Sequence, residues 1–514
     1  MTTSPIRRTA VDAAPESAAP PGAAGGHDSF SRLGRLAVRR RWWIVGVWAL
    51  ILLASIPLAP QVVGVLRAGG FILDDLESAR AKTLLQDELD TPPSAVVVVL
   101  HSDTATAGTP AFEGPAAAAI AHVGEAPGVV RVLPHTLAPR QVSADGHTAY
   151  DVVFLSIPPD DSPEALPGIR QRLGQPPPAA GMEVQLAGGP AFYGDVQSVS
   201  ESDLRRSEIV SLPLAAIALL IVFGSLFAAF VPLVVGGAAV VVALAAIFIV
   251  AGLTPMSIFV LNLATLLGLG LGVDYSLLLT SRFREELALR ASLAPERRVA
   301  EAVEVTVATA GRAVFFSGLT VLLGLAGLVL FEFMILRSVG IAGAFVVLLA
   351  ASSALTLLPA ILAIVGTRID ALAVRQVVPR DDPNGPWARL ARAVMRRPVA
   401  VLIPTLAVLF VLGAPFLHVR FNAPDSTILP PEVPSRAAFD RLADAFGEGE
   451  FAPIVLAIRT TGPATSPENV SALYDYSRRL AADPRVRRID SLVDVDPRLR
   501  KAQYQLLYAD PNGP

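Results

Sequence analysis

Residues 261–287 form a hydrophobic run, LNLATLLGLGLGVDYSLLLTSRFREEL, with an aspartate and a tyrosine set inside it, and no other stretch limits the possible folds as tightly. From 257 to 280 the run is long enough to cross a bilayer as a helix, at ~1.5 Å per residue against a hydrocarbon core of about 30 Å. Asp274 lies inside that span, eight residues before Arg282. That puts it ~12 Å along the axis from the first flanking charge. An unpartnered carboxylate at such depth costs at least ~2.5 kcal/mol, which marks Asp274 as a candidate proton or ion relay. Tyr275 points about 100° away from its neighbour, so both side chains must look to other helices for partners. Gly268, Gly272 and Tyr275 share one stripe, and Gly270 and Asp274 the adjoining one. Close helix packing is the role expected of Gly268, Gly270 and Gly272.

The rest of the composition agrees with a membrane setting, being 53% hydrophobic and 17% charged. The absence of cysteine excludes disulfides, thiolate metal sites and thiol catalysis. GLGLG lies within the hydrophobic run and lacks the spacing of a dinucleotide fingerprint, and no phosphate-binding G-x-x-x-x-G-K-[ST] loop occurs. The histidines, at 27, 101, 122, 135, 147 and 418, fall outside the membrane cores without metal-ligand spacing and read as solvated surface side chains. No enzyme activity, metal, cofactor or nucleic-acid partner is expected.

Residues 1–31 are rich in Ala, Pro, Gly and Ser and read as a disordered cytoplasmic tail. Arg32, Arg35, Arg39, Arg40 and Arg41 then precede a first span at 42–60, which holds the N-terminus inside by the positive-inside rule. Residues 61–206 are polar enough for an extracytoplasmic α/β domain. SAVVVVLHS, AYDVVFLSIP and MEVQLAG predict strands there, and PAFEGPAAAAIAHVGEA a helix. PAFYGDVQSVSESDLRRSE predicts a charged helix running straight into the next span. Further spans are expected at 209–227, 229–252, 257–280, 313–331, 338–365 and 399–417. Residues 282–311 read as an amphipathic cytoplasmic segment and 366–397 as a cytoplasmic linker. Residues 418–514 read as a second, incomplete extracytoplasmic domain with a strand-like APIVLAIRT and a helix-like NVSALYDYSRRLAAD. Thr320 lies eight residues beyond Arg312, at the depth of Asp274, and Ser317 is one turn shallower. Either hydroxyl is a candidate to support the carboxyl group, in competition with a bond to its own helix.

The chain also repeats itself. Arg32, Arg35, Arg39 and Arg40 recur as Arg389, Arg392, Arg396 and Arg397, an offset of 357 that also carries Ser78 onto Ser435. AVVVVL has its counterpart in PIVLAI one position later.

GLGLGVDYSLLLTSRFREEL resembles the fourth transmembrane helix of the MMPL family, within the resistance-nodulation-division (RND) superfamily of transporters. AGRAVFFSGLTVLLGLAGLVL and LRSVGIAGAFVVLLAASSALTLLPAILAIVG are similar to the fifth and sixth. The resemblance runs from about Arg32 to the end. It implies a multi-span α-helical membrane protein of RND-like fold with an internal repeat and α/β extracytoplasmic porter-type domains, set in the cytoplasmic membrane. It further implies proton-driven export of lipids or other amphiphiles, with Asp274 and Tyr275 as the proton relay. The partners would then be the amphiphilic substrate, protons and membrane lipids. A rival expectation is a non-transporting scaffold, or a sensor of sterols or other lipids, built on the same fold. The repeat would place a counterpart of Asp274 near 631, so the chain reads as truncated in its second half. Alone it is expected to self-associate as a homo-oligomer or to need that missing half, whose matching helix would meet Tyr275.

Overall fold

The computed structural model describes residues 29–67, 69–70, 76–173, 181–373, 385–419, 425–447, 449 and 453–509, and leaves the side chains of residues 386 and 387 aside. Residues 1–28 of the expected tail and 374–384 of the expected linker lie outside the described residues. The chain divides into two compact units, Met1–Leu73 with Pro93–Gly447, and Asp74–Pro92 with Glu448–Pro514.

Helix α1 (Ser29–Arg39) leads into α2 (Arg41–Ser55), which bends by 41° into a turn at Ala59–Val65. Helix α3 (Glu77–Leu89) belongs to the second unit. The α/β part of the first unit follows: β1 (Ser94–His101), α4 (Pro110–Ile120), β2 (Val129–Leu133), β3 (Thr148–Leu155), α5 (Leu166–Arg172) and β4 (Glu183–Ala187). The strands form one antiparallel sheet in the order β2-β3-β1-β4. Its register sets Val98 opposite both Asp151 and Leu186. Alternation sends Val96, Val98, Leu100, Val153 and Leu155 to one face, where Phe112 and Ala116 of α4 and Ile169 of α5 close the core. Strand β2 was not among the strands expected; it is short and two of its central residues are exposed, so no run of buried apolar residues announces it.

From β4 the chain enters α6 (Gly189–Phe223), one continuous helix of 35 residues whose first half is charged and whose second half is apolar. Gly224, at φ 66°, ends it in a left-handed conformation that costs glycine nothing. Ser225 then caps α7 (Leu226–Ala251) by accepting from the Ala228 amide, while its hydroxyl donates to Ile369 O at 2.8 Å. Next come α8 (Phe259–Leu289), α9 (Pro295–Thr306), α10 (Arg312–Ala326), α11 (Met334–Ser352), α12 (Leu358–Val365), α13 (Pro386–Arg396) and α14 (Pro398–Gly413). Wide π-helical turns, Val307–Gly311 and Ser353–Leu357, join α9 to α10 and α11 to α12. Six helical runs among the described residues are long and apolar enough to cross a membrane, and the bent pair of α2 would make a seventh.

Residues 282–311 are not a separate amphipathic segment. Arg282 to Leu289 are the last turns of α8, and α9 runs without a break into α10 as one 36-residue helical run, Pro295–Leu330. The apolar stripe read there is real, and Ala302, Val303 and Thr306 bury it against neighbouring helices, α1 among them.

Helix α15 (Pro434–Phe446) packs on β4 and α6, so the first unit includes a helix that the sequence assigned to a second domain. Asp195 of α6 explains the attachment: it takes a bond from Arg170 at 2.9 Å and another from the Ser435 amide, at the positive end of α15, also at 2.9 Å. The second unit holds α3, α16 (Pro467–Ala481) and α17 (Lys501–Ala509), with Val470, Val493 and Tyr504 fully buried. Of the segment APIVLAIRT, residues 453–460 are described and form no strand, and Ile454 is 90% exposed.

Candidate functional site

Helix α8 carries the candidate site, and its packing follows from its glycines. A Cβ on Gly272 would stand 2.7 Å from Gly236 Cα of α7, and one on Gly268 would stand 2.9 Å from Val240 Cγ2. The backbones of α7 and α8 can cross this closely only because neither position has a side chain. Gly270 does not share the role: it is exposed, with nothing within 4 Å of a Cβ built on it.

The ~100° step between neighbours then separates the central pair. Tyr275 turns into the bundle, where a Cβ on Gly318 of α10 would lie 3.6 Å from the phenolic oxygen and 3.2 Å from Ala351 of α11. Helices of this same bundle enclose the Tyr275 ring, whereas the partner expected from a second half concerns its hydroxyl. Among the described residues its buried hydroxyl has no hydrogen-bond partner, and neither do those of Ser276 and Thr280 along the same helix. Asp274 lies outside. It is exposed, with Leu266, Gly270 and Leu278 on the same open side of α8, and no described residue makes a hydrogen bond or ion pair with it.

Ser317 and Thr320 are not brought to Asp274. Both are exposed on α10, and Thr320 donates back to Phe316 O of its own helix at 2.9 Å. The local bond wins because the i−4 carbonyl is always within reach of a helical threonine.

At the far end of α8, Glu286 is 2% exposed and held by Arg282 at 2.5 Å and by Arg290. Arg284 donates to Asp370 at 2.7 Å and to Phe223 O, the last carbonyl of α6, at 2.9 Å. These pairs tie the end of α8 to its neighbours, whereas its middle keeps one acid uncompensated.

A second polar cluster lies in the sheet and was missed from sequence. His135 is 4% exposed, not solvated. Its Nδ1 is 2.8 Å from Asp151 Oδ1 and its Nε2 3.1 Å from Glu113 Oε2. These partners lie 16 and 22 residues away, so no local spacing could reveal them. Among the described residues no group of three or more His, Asp or Glu is arranged to hold a metal.

The comparisons with known proteins agree on the family. A family model described as MMPL family matches residues 74–401. A membrane protein of Streptomyces coelicolor is 35% identical over 447 residues, covering 86% of this chain and 62% of that one. The trehalose monomycolate exporter MmpL3 of Mycolicibacterium smegmatis is 32% identical over 325 residues, 57% of this chain and 32% of the relative. The mycolic acid-containing lipids exporter MmpL11 of the same species is 28% identical over 485 residues, 91% of this chain and 48% of the relative. The chain spans about half the length of the curated relatives it matches.

Proposed function

The chain belongs to the MMPL family and is a multi-pass membrane protein, and from that premise we propose that it serves proton-driven export of lipids or other amphiphiles across the cytoplasmic membrane. The observation that carries this reading is Asp274, a carboxylate in mid-helix on an open side of α8, with no partner among the described residues. Within a bilayer such a group is stable when it is neutral or when an apposed surface supplies a partner. An acid alternating between those two conditions takes up a proton in one and releases it in the other. Tyr275, Ser276 and Thr280 add buried hydroxyls with unused hydrogen-bonding capacity, suited to passing a proton. We assign the relay to Asp274 and Tyr275, with Gly268 and Gly272 setting the helix contacts that hold them.

In this reading the N-terminus is cytoplasmic and the sheet lies outside. Helix α6, continuous from the sheet into the membrane, carries movement between them. The names of two relatives, exporters of trehalose monomycolate and of mycolic acid-containing lipids, support an amphiphilic lipid as the substrate class.

Asp274→Asn keeps size and hydrogen bonding but cannot lose a proton. In vesicles bearing the protein with whatever second half or partner it requires, lipid movement under an imposed proton gradient should fall to the level of protein-free vesicles. Undiminished movement in this variant would overturn the relay. Retained binding of envelope proteins or sterols by a protein that never transports would favour a scaffold or sensor instead.

A further inference from the structure

His135 stands in a helical turn, His135–Leu137, just after β2, with a carboxylate facing each ring nitrogen. Asp151 of β3 is fully buried, opposite Val98 in the ladder, and its Oδ1 also accepts the His135 amide at 2.6 Å. Glu113, in the first turn of α4, is 29% exposed on its side chain. Its Oε1 accepts the Gly108 amide at 2.7 Å. The four groups make a chain from the turn before α4, through Glu113 and His135, to the middle of the sheet. Around the ring, α4 supplies Glu113 and the Phe112 ring, 5.9 Å away edge-on, β3 supplies Asp151, and the turn Pro139–Gln141, which carries Arg140, packs against the turn that holds His135.

Only an imidazolium can donate at both nitrogens, so opposite two ionised carboxylates the ring carries two protons; Asp151 Oδ2 is buried with no hydrogen-bond partner among the described residues. We propose that Glu113, His135 and Asp151 form a proton-operated latch that fastens the turn before α4 to the sheet, closed while the ring is charged and released when it becomes neutral. The proton that leaves is the one on Nε2. Nδ1–H stays with Asp151, whose buried charge has no access to water, whereas Glu113 sits at the surface and can turn outward. With Glu113 gone, the Gly108 amide loses its acceptor. The latch stands on the sheet's own geometry and does not depend on the transport reading.

The direction with pH follows. Burial alone would lower the His135 pKa, but the Asp151 and Glu113 carboxylates outweigh it and raise it above 6.5. The latch is therefore fully closed below 6.5 and opens as pH rises through the higher folded value.

Hydrogen exchange on the full chain in lipid nanodiscs tests this at the Gly108 amide. Once the intrinsic pH dependence of exchange is divided out, protection should fall about tenfold between about pH 6 and about pH 9. In Glu113→Gln, which keeps an acceptor for Gly108 but removes the charge, protection should not change over that range. Because Glu113 lies at the rim, the variant should fold, which near-ultraviolet circular dichroism checks. A flat wild-type profile, or an equal fall in Glu113→Gln, overturns the latch.

Discussion

Helices α1 and α13 are the same sequence idea placed 357 residues apart, and they end in opposite circumstances. Both are eleven-residue amphipathic helices with arginines at matching positions just before an apolar helix. In α1, Gly34 is buried on α9, Ala37 is buried as well, Leu33 packs into the bundle core and Arg35 pairs with Glu304. In α13 every residue from 389 to 396 is exposed, including Leu390 at 54% and Met395 at 77%. Amphipathic periodicity therefore decides that a helix forms and which side is apolar, but it does not supply the surface that buries that side.

The contrast between docked and open positions is sharpest inside α8. Gly272→Leu, driven against the Gly236 backbone, should cost about 3 kcal/mol, while Gly270→Leu two residues earlier should stay within ~0.5 kcal/mol. Thermal unfolding in detergent reads both, and similar losses would show that Gly270 also packs. Between the repeats, Gly34→Leu should cost ~2 kcal/mol, because its Cβ would approach Glu304 Cα to 2.9 Å. Its counterpart Ala391→Leu should again move stability by no more than ~0.5 kcal/mol. The smallest difference is expected for leucine truncation: Leu33→Ala loses about 1 kcal/mol, less than a fully buried leucine, and Leu390→Ala close to nothing. A loss at Leu390 equal to that at Leu33 would mean that α13 is docked in solution.

The same distinction explains what was legible in the sequence. The membrane helices could be read because a hydrocarbon-spanning run is a local property, and so could β1 and β3, whose valines cluster, and β4, where Val184 and Leu186 alternate with polar residues. PIVLAI carries nearly the pattern of AVVVVL, yet only the latter is a strand. A ladder needs neighbours, and β1 has β3 and β4 on its two sides. The candidate site divides similarly. Asp274 and Tyr275 announce themselves by being polar within a span, but which of the two faces the bundle depends on where Gly318 and Ala351 come to rest. The Glu113–His135–Asp151 cluster gives no sequence signal, because each member comes from a different element.

The wide turns at Val307–Gly311 and Ser353–Leu357 lie side by side, with Leu355 at 3.2 Å from a Cβ on Gly311. A π turn is a helix with one surplus residue folded into it. Handing that residue one place along re-phases the side chains it passes by ~100° without losing a hydrogen bond overall. Ala351 stands two residues before one of these turns and Gly318 seven beyond the other, and both touch Tyr275 or its immediate enclosure. The two helical runs that enclose the tyrosine thus each carry a surplus residue, one in the run of Gly318 and one in the run of Ala351.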